Sequence, residues 1–288
     1  MHLSGSSVLI TGGASGIGAA LARRVTAKGA RVGLIDRDAA GLAAVAENLA
    51  GAETAVADLR DREGIAAAVD DLAQRLGGLD VAVANAGIAT GGPLRLAGPD
   101  SVEDTIEINL LGNWRTVRAA IPHVLARRGY ILVVASAAAL APTPGLGAYA
   151  ASKAGVEALA RVLRAELAPH GVGVGVAYYL FLATPMVAGG EHMASFRELK
   201  GGLPGPIGCT YPLEPAIEAT VAGIERRARI VAYPRFVRAV LRLRGLLDTG
   251  LADLSARRAV RDMEASFSAD AERIGAEAAS RAPDRRDL

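Results

Sequence analysis

The stretch "VLITGGASGIGAALARRV", from Val8 to Val25, decides the fold class. A short apolar run passes through a turn rich in glycine into a segment with the apolar spacing of a helix. Glycines allow a tight turn and a close approach of the backbone to a ligand, and the start of a helix attracts phosphate. The pattern predicts a strand, a phosphate-binding turn and a helix. A glycine turn that only joins a strand to a helix would look the same.

Six further apolar runs repeat this alternation: "RVGLID" (31–36), "TAVADL" (54–59), "LDVAVANAG" (79–87), "YILVVAS" (130–136), "VGVGVAYY" (172–179) and "RIVAYP" (229–234). Short apolar strands that alternate with helices are typical of a parallel sheet covered on both faces. We therefore expect an α/β fold, a Rossmann-like doubly wound parallel sheet of about seven strands with helices on both faces. We expect a single domain followed by a helical C-terminal extension.

Two segments depart from the alternation. Residues 187–215 are rich in glycine and proline, and long irregular segments of this kind are typical of a substrate lid. Residues 1–234, which include this lid, are expected to form a dinucleotide-binding catalytic domain. Residues 235–288 are expected to form the helical extension, and its last residues, "RAPDRRDL", are expected to be disordered.

The composition narrows the class of protein. Of the 288 residues, 51% are hydrophobic, which supports a large core, and the net charge of +2 gives no sign of nucleic-acid binding. No apolar run is long enough to span a bilayer, and the N-terminus lacks the pattern of a signal peptide. Cys209 is the only cysteine, which excludes an intrachain disulfide. We expect a cytoplasmic protein with no metal.

A basic stretch opens the extension. Between Arg226 and Arg244 there are seven arginines and no acidic residue, interleaved with apolar side chains. Two interpretations remain open. The favoured one is that this helix packs on the body of the protein or on a second subunit. The other is a peripheral contact of residues 226–247 with an anionic membrane surface.

The segment "GAYAASKAGVEAL" (147–159) places Tyr149 four residues before Lys153. In a helix these two side chains lie on one face. The lysine ammonium would then favour the ionised phenol and lower the pKa of Tyr149. The pair is either a tuned proton donor or two residues that merely share a helix face.

Asp36 ends the second predicted strand, where a carboxylate can bind the adenosine ribose hydroxyls of a dinucleotide. The same carboxylate would repel a 2′-phosphate, which favours NAD(H). The adjacent Arg37 could instead pair with such a phosphate, so NADP(H) stays open as the second choice.

Taken in order, these motifs resemble the short-chain dehydrogenase/reductase family over about residues 7–234. "TGGASGIG" (11–18) is similar to the family's cofactor turn, and "ANAG" (84–87) to its Asn-Asn-Ala-Gly motif. "YAASK" (149–153) completes the Tyr-x-x-x-Lys signature. Asn109 falls at the position of the catalytic asparagine, and Ser136 precedes Tyr149 by the usual interval.

The resemblance implies a catalytic set of Asn109, Ser136, Tyr149 and Lys153. Tyr149 would exchange a proton with the substrate oxygen, and Ser136 would hydrogen-bond that oxygen. Lys153 would lower the pKa of Tyr149 and bind the nicotinamide ribose, and Asn109 would hold a relay water. The expected cofactor-binding residues are Gly12, Ser15, Gly16, Ile17, Gly18, Asp36, Arg37, Asp58, Leu59, Asn85, Ala86, Gly87, Tyr149, Lys153, Leu182 and Thr184.

One segment departs from the family pattern. After the sixth strand, Tyr179 and Leu180 replace the usual Pro-Gly pair, while Thr184 keeps its place. Either the loop is rearranged and still holds the nicotinamide, which we favour, or nicotinamide placement is compromised. The expected substrate pocket is apolar, with no arginine or lysine placed to bind a small carboxylate. Its residues are Ala137, Ala138, Leu140, Leu146, Tyr179, Leu180, Phe181, Met186 and Met193.

These features predict an NAD(P)(H)-dependent oxidoreductase that interconverts a small hydrophobic alcohol and its ketone or aldehyde. Two alternatives remain: a dehydratase, epimerase or cyclase on the same scaffold, and a dinucleotide-binding protein without catalysis. By resemblance we also expect a homodimer or homotetramer.

Overall fold

The structure is a computed structural model that describes residues 1–141, 143–244 and 250–281, with only the backbone described for 250–259. Its centre is a seven-stranded sheet in the order β3-β2-β1-β4-β5-β6-β7, and every pairing is parallel. The strands are Ser7–Thr11 (β1), Arg31–Asp36 (β2), Glu53–Val56 (β3), Val81–Ala84 (β4), Tyr130–Val134 (β5), Gly173–Tyr179 (β6) and Ile230–Tyr233 (β7). The predicted Rossmann-like sheet is confirmed, and each strand lies in or overlaps one of the seven apolar runs.

Helices cover both faces of the sheet. They are Gly16–Thr26 (α1), Ala39–Ala46 (α2), Arg62–Arg75 (α3), Pro99–Ile106 (α4), Asn113–Ala126 (α5), Gly147–Leu167 (α6), Pro185–Glu191 (α7), Ala194–Gly201 (α8), Leu213–Glu225 (α9), Val237–Leu243 (α10), Gly250–Ile274 (α11) and Ala276–Ser280 (α12). Neighbouring side chains of β1 lie on opposite faces. Leu9 therefore joins one buried cluster, and Val8 and Ile10 join the other. Two buried faces explain why the strands are apolar without interruption.

The strand order reverses between β1 and β4, which are neighbours in the sheet although the chain leaves them in opposite directions. In doubly wound sheets the crevice at the carboxyl ends of such a pair is the usual ligand site. The glycine turn follows β1 and Asn85 follows β4, so both lie at this crevice.

The segment 187–215 is less irregular than its composition suggests. It contains most of α7, all of α8 and a short 3-10 turn at Gly205–Gly208. Pro185 occupies the first turn of α7. A proline is tolerated there because the N–H group that it lacks would have no partner within the helix. Lys200 pairs with Glu191 and donates to the hydroxyl of Thr210 (2.6 Å), which ties the two ends of the segment together.

The described part of the extension is helical, as predicted, and it packs on the body of the protein. The helix α11 lies against α8, and α12 lies against α4. In the basic stretch, Val237 is buried, Arg238 donates to the carbonyl of Ile230 (3.1 Å), and Arg244 pairs with Glu157 (2.7 Å). These contacts support the packing interpretation for residues up to 244; residues 245–247, and the expected disorder at 282–288, lie outside the described residues.

Within residues 1–141, 143–244 and 250–281, no helix combines the length and the apolar character that crossing a membrane requires.

Candidate active site

A single cleft of about 1840 Å³ runs along the carboxyl ends of the strands and brings nearly all of the predicted site residues together. Of the catalytic set, Ser136, Tyr149 and Lys153 line the cleft, and Asn109 is buried behind it. Of the expected cofactor residues only Gly18 does not line it. All nine expected substrate-pocket residues belong to the lining.

At the phosphate end, the turn after β1 is folded too tightly for side chains. Gly12 has a left-handed backbone (φ +72°), and a Cβ there would lie 2.8 Å from the amide nitrogen of Asn85. A Cβ on Gly18 would lie 2.0 Å from the carbonyl oxygen of Gly12. Gly18 therefore contributes by letting α1 pack against the turn, and Asn85 ties β4 to the same turn by donating to the carbonyl of Thr11 (2.9 Å).

The start of α1 has the features of a phosphate site. Its N-cap residue, Ser15, makes no side-chain capping bond, and the first turn carries no acidic residue. The first N–H groups of a helix have no partner within the helix, and they carry the positive end of its dipole. The lining glycine Gly16 leaves the approach open, since a Cβ there would meet only Thr184, at 3.7 Å. The turn and the helix start fit a dinucleotide pyrophosphate.

At the adenosine end, two carboxylates are held in place. Asp36 accepts hydrogen bonds from the N–H groups of Ala14 and Asp38 (both 3.1 Å), which fixes its carboxylate at the end of β2. Arg60 binds Asp58 (2.7 Å), and this hydrogen bond is the main reason that the pKa of Asp58 is lowered. Arg37 also lines this end of the cleft.

Tyr149 and Ser136 both line the cleft, and the hydroxyl of Ser136 lies near enough to the phenol to affect its pKa. Burial raises the pKa of Tyr149, and the hydroxyl of Ser136 opposes this rise only in part. The predicted lowering by Lys153 is wrong for the protein without cofactor. The ammonium lies 5.7 Å from the centre of the Tyr149 ring and donates to the carbonyl of Val134 (3.0 Å), so desolvation of the phenol dominates.

Lys153 is itself perturbed. It is 4% exposed, and burial lowers its pKa to about 8. A Cβ on Gly87 would lie 3.4 Å from its ammonium nitrogen and 2.9 Å from the side-chain oxygen of Asn109, so the motif at 84–87 packs directly on both. Lys153 is therefore still mostly an ammonium at pH 7, and it loses its proton at a lower pH than an exposed lysine does.

Asn109 lies on a π-helical turn, Glu107–Gly112, a distortion that is frequent at functional sites. Its side-chain oxygen accepts from the N–H of Ile88 (2.8 Å), and its amide donates to the carbonyl of Ile88 (2.9 Å) and to Ser152 (3.2 Å). The side chain thus braces the loop after β4 against α6, and the relay water stays a prediction.

The unusual residues at 178–180 divide between the two faces of the sheet. Tyr178 is buried among the core residues that also contact α6, and the hydroxyl of Tyr179 bonds Thr220 of α9 (2.5 Å). The ring of Tyr179 therefore packs in the core, and its main-chain carbonyl accepts from the hydroxyl of Ser136 (3.5 Å) at the edge of the cleft. Leu180 has no left-handed backbone, so no glycine is needed at this position.

Sequence reasoning missed the contribution of the extension. Side chains from beyond residue 243 reach the cleft: Arg244, Val260, Met263, Ile274, Ala278, Ser280 and Arg281. Arg244 and Arg281 both line the cleft, although no arginine was expected to be placed there to bind a small carboxylate. Each is paired, Arg244 with Glu157 (2.7 Å) and Arg281 with Asp104 (2.7 Å), so the surface near the substrate end stays mostly apolar. No local pattern in the sequence indicates these contacts, which join residues far apart in the chain.

Within the ranges that the structure describes, no group of three or more histidine, cysteine, aspartate or glutamate side chains is arranged to hold a metal ion.

Comparison with known proteins agrees with this geometry. Residues 6–194 match the family model described as short chain dehydrogenase. A (-)-trans-carveol dehydrogenase from Rhodococcus erythropolis is 38% identical over 65% of this chain and 74% of its own length. The 3-dehydrosphinganine reductase TSC10B of Arabidopsis thaliana is 36% identical over 58% of this chain, which spans only 52% of that relative. A short chain dehydrogenase from Mycobacterium paratuberculosis, solved bound to NAD, is 29% identical with a TM-score of 0.72, over 81% of this chain and 97% of that one.

Proposed function

The chain belongs to the short-chain dehydrogenase/reductase family, and on that premise we propose that it is an NAD(H)-dependent oxidoreductase that interconverts a hydrophobic alcohol and its ketone or aldehyde. One observation carries the proposal: Ser136, Tyr149 and Lys153 line the same cleft as the glycine turn, with Lys153 on the next turn of the helix after Tyr149. A dinucleotide site and a proton donor thus share one cavity.

The bound dinucleotide would supply or accept the hydride. Its pyrophosphate fits the N–H groups at the start of α1, and its adenosine ribose fits the carboxylate of Asp36. A carboxylate held by two main-chain N–H groups disfavours a 2′-phosphate, which supports NAD(H) over NADP(H). The mycobacterial neighbour that was solved with NAD supports the same choice.

Tyr149 would move the proton. Because burial raises its pKa, the phenol is protonated at neutral pH and can donate to the oxygen of a carbonyl substrate. Ser136, which lines the cleft beside Tyr149, would donate to the same oxygen and stabilise the charge that develops on it. In the reverse direction the phenolate accepts the proton of the alcohol. Lys153, whose ammonium lies 5.7 Å from the centre of the Tyr149 ring, would stabilise that phenolate while it is charged.

The walls beyond Tyr149 favour an apolar substrate. Leu146, Leu199 and Met263 form one buried cluster with Phe181 and Ala138 packed on it. An apolar wall with few polar anchors suits a hydrophobic molecule that is held by one reacting oxygen. The relatives named as carveol dehydrogenase and 3-dehydrosphinganine reductase support the reaction class.

We retain the homodimer or homotetramer as part of the proposal. Leu111 and Trp114, at the end of the π-helical turn and the start of α5, are 39% and 36% exposed, and exposed apolar side chains of this size are frequent at subunit contacts.

The test is the absorbance of the reduced cofactor with NADH and NADPH separately, against cyclic and aromatic ketones. We expect oxidation that depends on both ketone and enzyme, is faster with NADH, and disappears in Tyr149→Phe. Tyr130→Phe is the matched control, since the hydroxyl of Tyr130 bonds the carbonyl of Ala228 (2.7 Å) within the core. Equal loss in both variants, or product without cofactor oxidation, would overturn the proposal.

A further inference from the structure

We propose that the C-terminal segment 260–281 forms the far wall of the substrate pocket and that Met263 limits the size of the substrate. The substrate inferred is a neutral alcohol or ketone whose hydrocarbon part extends from Tyr149 to the helix α11. This inference rests on the proposed function of the same cleft. It goes beyond it by assigning specificity to a segment that lies outside the part of the chain matched by the family model.

Two side chains of α11 pack directly against glycines. A Cβ on Gly145 would lie 2.4 Å from the sulfur of Met263, and a Cβ on Gly92 would lie 2.4 Å from the ring of Phe267. Met263 is 4% exposed and Phe267 is fully buried. Gly92 lines the cleft, and Gly145 lies between the lining residues Pro144 and Leu146, so α11 packs against the wall of the cleft.

Main-chain and capping bonds hold the end of the segment. Glu277 accepts from the N–H groups of Asp100 (3.2 Å) and Ser101 (2.9 Å), so its carboxylate caps the start of α4. Ser280 accepts from the N–H of Gly91 (2.9 Å) through its carbonyl, and its hydroxyl accepts from the N–H of Gly98 (3.0 Å). These bonds fix the segment against the loop that follows β4.

Charged pairs extend the anchoring toward the cofactor end. Arg281 pairs with Asp104 (2.7 Å), Asp104 lies 3.7 Å from Arg60, and Arg60 pairs with Asp58 (2.7 Å). The carboxylates of Asp104 and Asp58 neutralise Arg281 and Arg60. Neither arginine therefore presents an uncompensated positive charge to an ionised group of a substrate. This pairing favours a substrate that is neutral at its far end.

Met263 is where the wall meets the catalytic helix. It forms a buried cluster with Leu146, which precedes α6, and Leu199 of α8. Tyr149 lies three residues after Leu146, which is about 5 Å along a helix. A hydrocarbon group that extends from a carbonyl at Tyr149 along Leu146 therefore reaches Met263. Enlarging this side chain shortens the pocket, and reducing it lengthens the pocket.

The test compares Met263→Trp and Met263→Ala with Ala265→Trp, a matched insertion on the exposed side of α11. The substrates are cyclohexanone and a bulky neutral ketone with a long alkyl chain. We expect Met263→Trp to lower kcat/KM for the bulky ketone at least tenfold and for cyclohexanone less than threefold. Met263→Ala is expected to shift the preference toward the bulky ketone, and Ala265→Trp to change neither. Equal losses for both ketones, or the same profile in Ala265→Trp, would overturn the inference.

A binding measurement separates this inference from the proposed function. The fluorescent neutral ketone prodan reports transfer to an apolar site by a blue shift of its emission. We expect saturable binding to the full chain in the presence of NAD⁺, weakened at least tenfold by Met263→Trp and unchanged by Ala265→Trp, whether or not any ketone is reduced. Turnover without this pattern of binding would reject the wall at Met263, and this pattern without turnover would reject only the oxidoreductase.

Discussion

The two ends of the cleft are built in different ways. Where the cofactor end would hold the pyrophosphate, the contacts come from the main chain: glycine Cα atoms, helix N–H groups and a turn so tight that a Cβ on Gly18 would lie 2.0 Å from the Gly12 oxygen. At the substrate end they come from side chains of distant segments, such as Leu146, Leu199 and Met263. A main-chain site tolerates little variation and leaves a compact motif in the sequence. A side-chain site can change by single substitutions, which is what a specificity pocket requires.

The largest effect is expected where the two ends meet. Replacing Tyr149 by phenylalanine removes the proton donor and should lower kcat by about 10³-fold, in the range that general acid catalysis contributes. Cofactor affinity should change less than threefold, because the ring remains. Steady-state kinetics together with NADH fluorescence titration measure both. A large loss of NADH affinity in this variant would mean that Tyr149 belongs to the cofactor end and not to the junction.

The next largest effect is expected on the stability of the protein, at Lys153. The pKa of Lys153 is about 8 in the folded protein instead of 10.5, so the lysine destabilises the fold at any pH where it is charged in both the folded and the unfolded protein. Lys153→Met should therefore raise the free energy of unfolding at pH 7 by up to about 3 kcal/mol. Between pH 8 and 10.5 the unfolded chain binds more protons, and wild-type stability therefore rises with pH across this window. The advantage of the variant should shrink over the same window, as denaturant unfolding at several pH values will show. An advantage that does not vary with pH would contradict the buried-charge explanation.

A pair of glycine variants tests how strict the cofactor end is. Gly18→Ala forces a Cβ onto a main-chain oxygen and should reduce stability by about 1–3 kcal/mol and NADH affinity by about tenfold or more. Gly16→Ala meets only Thr184, at 3.7 Å, although its φ of +51° strains an alanine by about 1 kcal/mol. Thermal unfolding and NADH titration compare the two. If Gly16→Ala is the more damaging variant, close packing at Gly18 is not what shapes the turn.

The smallest effect is expected at Asp36. Asp36→Asn keeps an oxygen for the N–H of Ala14 and removes the charge, so the ratio of NADPH to NADH affinity should rise by about tenfold. Asp61→Asn is the control, since Asp61 caps α3 and does not line the cleft. Titration of each variant with both cofactors measures the ratio. An unchanged ratio would show that Asp36 does not select the cofactor.

The contrast between the two ends also explains what the sequence could predict. All seven strands and the glycine turn could be predicted from the sequence. Buried parallel strands appear as apolar runs, and the turn is formed by residues that are neighbours in the chain. The direction of the Tyr149 pKa shift could not be predicted, since it depends on burial by many neighbours and not on the spacing to Lys153. The role of Met263 depends on contact with Gly145, more than a hundred residues earlier, for which no local pattern exists. The face of the sheet on which the Tyr179 ring lies could have been predicted, because neighbouring residues of a strand point to opposite faces and Tyr179 follows Tyr178 in β6.

Transfer of deuterium from NADH labelled at both C4 positions to a ketone tests the central claim most directly. The account predicts an alcohol product that carries one deuterium on its carbinol carbon by mass spectrometry, formed in step with cofactor oxidation and absent with Tyr149→Phe. A product without deuterium, formed while the cofactor stays reduced, would contradict hydride transfer and would place this protein among the non-redox enzymes of the same scaffold.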